Sequence, residues 1–236
     1  MLISSTNDPQ QHQHWEEDTR YRSCEHPVPV RFADQRIRYI RSWFDLSQIE
    51  TALDVGCGNG LSMFRLREHI PRIFGVDRSG NMLSHHPFRA TSRLALADGA
   101  RLPFRDNAFD LVFGWEVLHH IAEPEQAVAE AVRVSRRWIL FAEPNRYNPC
   151  QFAYALYDRE HRWVLRYSLA FMRNLLIGAG VGVRHASRAG WIFPNITPMA
   201  IAPLLEKLPF QAPFAISNWV LGEKTTNASA GCGVQT

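Results

Sequence analysis

Leu53-Asp54-Val55-Gly56-Cys57-Gly58-Asn59-Gly60 decides how this chain folds, because an apolar run carrying one acid passes straight into glycines at alternate positions. Ala52, Leu53 and Val55 predict a buried strand. Gly56, Gly58 and Gly60 predict a turn whose backbone bends sharply and approaches a ligand where any Cβ would collide. From 61 to 69 the apolar residues fall at helical spacing, so the order is strand, glycine turn, helix. That order suits a nucleotide-like cofactor. A dinucleotide site of the G-x-G-x-x-G kind would place its third glycine at position 61, where Leu61 stands, which disfavours a pyrophosphate-binding turn.

Three downstream segments extend the pattern. Ile73, Phe74 and Val76 predict a second strand ending in Asp77, about twenty residues past the glycine turn, where a carboxylate can accept ribose hydroxyls. Asp77 and Ser79 also suit the start of a helix. Leu94-Ala95-Leu96-Ala97 predicts a third strand that ends in Asp98-Gly99-Ala100. Leu102-Pro103-Phe104-Arg105-Asp106-Asn107-Ala108-Phe109-Asp110-Leu111-Val112 then leads into a fourth strand over 109–114. Taken together, these segments resemble the class I S-adenosylmethionine-dependent methyltransferases, and the type 11-like small-molecule enzymes among them. The resemblance is good over 49–145 and loose elsewhere.

What the resemblance implies is specific. The fold is α/β, a seven-stranded Rossmann-like doubly wound sheet in one domain spanning 1–236, with its cofactor-binding core at 50–145. Asp54, Gly56 and Gly58 would line the methionine end of S-adenosylmethionine, with Cys57 and Trp115 beside them. Asp77 would hold the ribose and Asp98 the adenine amine. Gly99 and Ala100 would offer backbone and a small surface to the ring, and Arg78 and Met82 would pack on it; an ordinary solvated arginine and a core methionine are the alternatives for those two.

The fourth strand runs into Trp115-Glu116-Val117-Leu118-His119-His120-Ile121. A helical turn starting here would set Glu116, His119 and His120 on one face, at i, i+3 and i+4. Either imidazole would suit a general base, and the trio a divalent ion; the reading adopted is histidine catalysis without a metal. A histidine bonded only to backbone is the structural alternative. A fifth strand over 138–142 delivers Glu143, which the resemblance pairs with His119 or His120, and which equally suits a turn before Pro144. The usual "PGG" loop before strand five is replaced by Val134-Ser135-Arg136-Arg137.

Further out, Ile37, Ile40, Trp43 and Phe44 predict a helix ahead of the first strand, and Trp15, Tyr21 and Phe32 are candidates for a lid over the cofactor. Helices are expected over 151–159 and 168–179, and strands six and seven over 181–187 and 216–223. The stretch 189–215 between those strands, with Trp191, Phe193, Phe210, Phe214 and five prolines, reads as a substrate cap or a dimer contact. The segments 1–14 and 225–236 read as flexible tails, and His12 and His14 as solvated residues of the first.

Composition bounds the partners. The chain has 236 residues, 46% hydrophobic and 21% charged, enough for one α/β core. A net charge of +3 without a Lys/Arg run gives no nucleic-acid footprint. Lys207 and Lys224 are the only lysines. Cys24, Cys57, Cys150 and Cys232 lack C-x-x-C spacing and read as free thiols. No apolar run reaches membrane-spanning length, so a soluble, cytoplasmic monomer or homodimer is expected. The function expected is methyl transfer to a hydroxyl of a partly hydrophobic metabolite. A catalytically silent cofactor-binding partner, a nicotinamide oxidoreductase and an RNA methyltransferase stay open.

Overall fold

The computed structural model describes residues 22–158 and 160–225. Both expected tails, His12, His14, Trp15, Tyr21, Cys232 and Arg159 lie outside them, apart from Thr225.

A seven-stranded sheet has the order β3-β2-β1-β4-β5-β7-β6. Its strands are β1 Thr51–Val55, β2 Arg72–Asp77, β3 Leu94–Leu96, β4 Phe109–Trp115, β5 Ser135–Pro144, β6 Val181–Ala189 and β7 Ser217–Lys224. β1 to β5 pair in parallel, and β7 runs antiparallel between β5 and β6. All five residues of β1 are buried, as expected for a central strand covered on both faces. The parallel strands deliver their carboxyl ends to one edge, where open α/β sheets bind ligands.

Two apolar cores flank the sheet. On one face, α1 (Pro27–Arg41) and α2 (Leu61–Leu66) bring Ile37, Ile40, Met63 and Leu66 against Leu111, Phe113, Leu140 and Trp219. On the other, α4 (Pro124–Val134) and α6 (Leu169–Gly178) bring Val128, Ala131, Met172 and Leu176 against Val112, Ile139, Phe141 and Val220. Between α2 and α4 lies the short α3 (Gly80–Ser84), whose cap Ser79 accepts from the Met82 amide. Before α6, α5 (Pro149–Tyr157) starts at Asn148, whose side chain accepts from the Cys150 and Gln151 amides. A third cluster of Val28, Phe32, Ile192, Ala202 and Ile216 joins the start of α1 to the segment between β6 and β7, which carries α7 (Ala202–Leu205).

Several boundaries differ from the sequence reading. α1 begins earlier than expected because Pro27 sits in its first turn, where a missing amide hydrogen costs nothing, and the His26 imidazole accepts from the Val28 amide. Where Val134-Ser135-Arg136-Arg137 stands in place of the usual loop there is no intervening turn: α4 ends at Val134, and β5 starts at Ser135, earlier than the expected 138. Pairing of Phe109 with Ser135 but of Leu111 with Trp138 leaves two residues of β5 facing one of β4, a bulge. That extra residue absorbs the change of direction that a loop would otherwise make. No described helix is long and apolar enough to cross a membrane.

Candidate functional site

At the carboxyl edge of β1, the chain turns through Gly56 at φ +71°, Gly58 at +52° and Gly60 at +90°, a region that L side chains rarely adopt. A Cβ at Gly56 would sit 2.1 Å from the Val117 side chain, and one at Gly60 would sit 2.6 Å from the His86 ring. The turn is therefore pinned from both sides and has to be glycine. His86 is wholly buried, and burial pushes its imidazole down to about 4, so the ring packing on Gly60 stays neutral.

Asp77, the last residue of β2, reaches across to this turn. Its carboxylate accepts from the Gly58 amide at 2.8 Å and from the Ser79 amide at 2.9 Å, and burial raises its pKa. Asp54 is placed differently from Asp77. It is buried behind the glycine turn and accepts from the Ser62 hydroxyl, and burial pushes its pKa up to about 8.

These elements bound a cleft of about 1000 Å³. Of the residues read from the sequence as cofactor contacts, Gly56, Cys57, Gly58, Asp77, Arg78, Met82, Asp98, Gly99, Ala100 and Trp115 all line it; Asp54 does not. Asp98 is exposed, and its carboxylate accepts from the Ala100 amide at 2.9 Å, presenting an acceptor at the rim. A pocket of this form suits adenosine: the acids Asp77 and Asp98 and the Met82 side chain all line it, and a Cβ at Gly58 would come 3.2 Å from Met82 Cε.

The far wall departs from expectation. Glu116 takes φ +58°, a left-handed conformation unusual outside glycine, and the chain then makes only a short 3-10 turn, Leu118–His120. Glu116 consequently does not share a face with the histidines. It accepts instead from the buried Arg36 guanidinium and from the Ser217 hydroxyl at 2.8 Å. The trio that would have held a metal is thus broken up, and among the described residues no group of three or more His, Cys, Asp or Glu is placed to hold an ion.

Glu143 is wholly buried near the end of β5 and does not line the cleft. One oxygen accepts from the Val117 and Leu118 amides at 2.8 and 2.7 Å; the other accepts from the His119 amide at 3.3 Å and lies 2.7 Å from His119 Nδ1. Both of its readings therefore describe the same carboxylate, which caps the turn and orients the ring. With Nδ1–H donated to Glu143, His119 keeps Nε2 as an acceptor. His119 and His120 both line the cleft, with ring centroids 3.8 Å apart.

Sequence reasoning missed several lining residues. Arg22 donates to the Pro194 and Thr197 carbonyls, and its own carbonyl accepts from Asn59, strapping the segment before α1 across the glycine turn to the β6–β7 insertion. From that insertion Phe193, Pro194, Asn195 and Ile196 line the cleft, whereas Trp191, Phe210 and Phe214 do not. Phe32, a lid candidate, lines it too. Tyr154 and His161 complete the wall, and no spacing rule links them to the glycine turn.

Residues 53–138 match the family model described as a methyltransferase domain. Norajmaline N-methyltransferase of Rauvolfia serpentina is 27% identical over 119 residues, covering 45% of this chain and 39% of that protein. Ubiquinone biosynthesis O-methyltransferase of Nitrosomonas europaea is 23% identical over 163 residues, covering 64% and 65%. The chain thus spans between 39% and 65% of these relatives' lengths. Among solved structures, magnesium protoporphyrin IX methyltransferase of Synechocystis PCC 6803, with bound S-adenosylmethionine, superposes with a TM-score of 0.62 at 13% identity, covering 95% of this chain and 100% of that one. A likeness at that identity speaks for the fold.

Proposed function

We propose that this chain, which carries a class I S-adenosylmethionine-dependent methyltransferase domain, transfers a methyl group to a hydroxyl of a small, partly apolar metabolite. The observation that carries the reading is that His119, held by the buried Glu143 carboxylate behind it, lines the cleft that Asp77 and the glycine turn also line. When bound, S-adenosylmethionine supplies a methyl on a positively charged sulfur.

The chain's own residues then align and deprotonate. Asp77 would hold the ribose hydroxyls and Asp98 the adenine amine, and the glycine turn would leave the methionine portion room that a Cβ would take. Asp54 acts one layer out, through Ser62, by holding the turn. Such positioning is worth about 7 to 11 kcal/mol in favourable cases, the larger part of what a reactive donor needs. The His119 Nε2 takes the acceptor's O–H proton as the new C–O bond forms, and Glu143 stabilises the resulting imidazolium. Phe32, Phe193 and Ile196 exclude water and favour an acceptor with an apolar part.

A metabolite fits better than a nucleic acid because basic residues are scattered along the chain. The test is incubation with methyl-labelled S-adenosylmethionine and a pooled set of hydroxyl-bearing metabolites. Label is expected in an ether product. Label found only in amines would overturn the hydroxyl assignment, and label found only in added RNA would overturn the acceptor class.

A further inference from the structure

Transfer from a sulfonium to a hydroxyl releases one proton per turnover, and His119, with 3% of its side chain exposed, is poorly placed to hand that proton to water itself. Two further imidazoles line the cleft beside it. The half-buried His120 ring lies against His119, and His161 faces both rings, with centroids 6.1 Å from His119 and 5.9 Å from His120. His161 belongs to the 3-10 segment Glu160–Arg166, which packs against α5 and against the turn that carries His119 and His120. Its Nδ1 lies 3.3 Å from the Asp158 carboxylate just past the end of α5, and the two side chains are 23% and 22% exposed.

The cleft wall therefore carries three imidazoles, two of them each beside a carboxylate: His119 bonded to the buried Glu143, and His161 near the more exposed Asp158, with His120 packed on His119 and about as far from His161 as His119 is. Tyr154 packs on the His161 ring at 4.4 Å, and Tyr167 stands 6.1 Å from His119, its phenol pushed up by burial and by the Glu143 charge. Neither tyrosine is needed as a proton carrier.

We propose that His161, oriented by Asp158, is the outer station of a proton relay that runs from His119 through His120 to solvent. The proton taken from the acceptor oxygen leaves His119 as the thioether product forms, passes to His120 and then to His161, and departs to water; each imidazole returns to its neutral state, so no co-reactant is consumed. The His119 and His120 rings are in direct contact, and a single water can bridge the wider gap to His161. His161 is a positioning and relay residue that acts through the other two rings. The proposal rests on the hydroxyl-methylation reading above.

The test uses the full chain with methyl-labelled S-adenosylmethionine and the same pooled hydroxyl acceptors. His161→Gln is expected to lower kcat about tenfold in dilute, non-transferring buffer, less than the 10²- to 10⁴-fold expected of the base itself. Cofactor affinity and acceptor KM should hold within twofold, the acid limb of the kcat–pH profile should move, and added imidazole should restore the rate. Asp158→Asn should give a smaller loss of the same kind. An unchanged kcat, or a raised KM without imidazole rescue, would overturn the relay.

If the wild-type chain methylates nothing in the pool, the function reading fails, and the relay is then decided by ring-proton NMR titration with bound S-adenosylhomocysteine. Asp158, His119, His120 and the Glu143 carboxylate behind them are the titratable groups that bear on His161. His161→Gln is expected to shift the His120 midpoint, the mark of coupled sites. An unmoved midpoint overturns the relay independently of any acceptor.

Discussion

Replacing His119 by alanine is expected to lower turnover by about 10²- to 10⁴-fold while leaving S-adenosylmethionine affinity unchanged. The ring lines the same cleft as Asp77, and the proton transfer proposed for it is made mainly in the transition state. By that logic kcat and kcat/KM fall together. Steady-state kinetics on the labelled-methyl assay, beside a cofactor titration of the same variant, separates this from a folding defect. His120→Ala is expected to lose less, because it is the His119 ring whose tautomer the buried Glu143 carboxylate fixes. Full turnover in His119→Ala would reduce catalysis here to alignment alone.

Glu143→Ala is expected to be the most destabilising single change at the site, by about 3 to 5 kcal/mol. The carboxylate accepts from three backbone amides and one imidazole, and it is wholly buried. Alanine would strand all four donors where water cannot reach them, and each buried, unpaired group costs about 1 to 3 kcal/mol. Equilibrium urea unfolding followed by circular dichroism measures the loss. Glu143→Gln keeps the volume but opposes an amide NH₂ to several donors, and should recover only part of the stability. A loss below about 1 kcal/mol for Glu143→Ala would mean that the 3-10 turn stands without its cap.

How much of this was legible beforehand follows from how local each determinant is. Strand β1 and the glycine turn are written in consecutive residues, since a buried strand needs apolar side chains and a left-handed turn needs glycine. Asp77 and Asp98 were legible for a similar reason, each being the acid that closes a short apolar run. Glu116 was not. Its left-handed backbone is imposed by packing at the end of β4, and nothing in Trp115-Glu116-Val117 advertises a φ of +58°. The expected helical face failed with it, and Glu143 from β5 accepts from the Val117, Leu118 and His119 amides, the donors that the first turn of a helix leaves unpaired.

Tyr154 and His161 were illegible for a further reason. They lie beyond the segment that resembles the family, and only the packing of α5 and the 3-10 segment against the histidine turn brings them to the cleft. Arg36 belongs to the same class: on the helix it is one arginine among several, and its partners Glu116 and Ser217 lie 80 and 181 residues away. At 134–137 the sequence showed that the usual loop was replaced but not by what: the bulge that takes its place shows only in the spacing of two strand pairs.

Everything above depends on the cleft between the glycine turn and Asp77 being the S-adenosylmethionine site, and isothermal titration of S-adenosylhomocysteine into the wild-type chain and Asp77→Ala tests that most directly. One site per chain is expected in the wild type, weakened in a folded Asp77→Ala variant by about 1.5 to 3 kcal/mol, the scale of hydrogen bonds to a charged group. Nicotinamide dinucleotides should give no heat, because Leu61 occupies the place of the third glycine. Unchanged affinity in Asp77→Ala, or binding of the dinucleotide in place of S-adenosylhomocysteine, would contradict the assignment of this cleft.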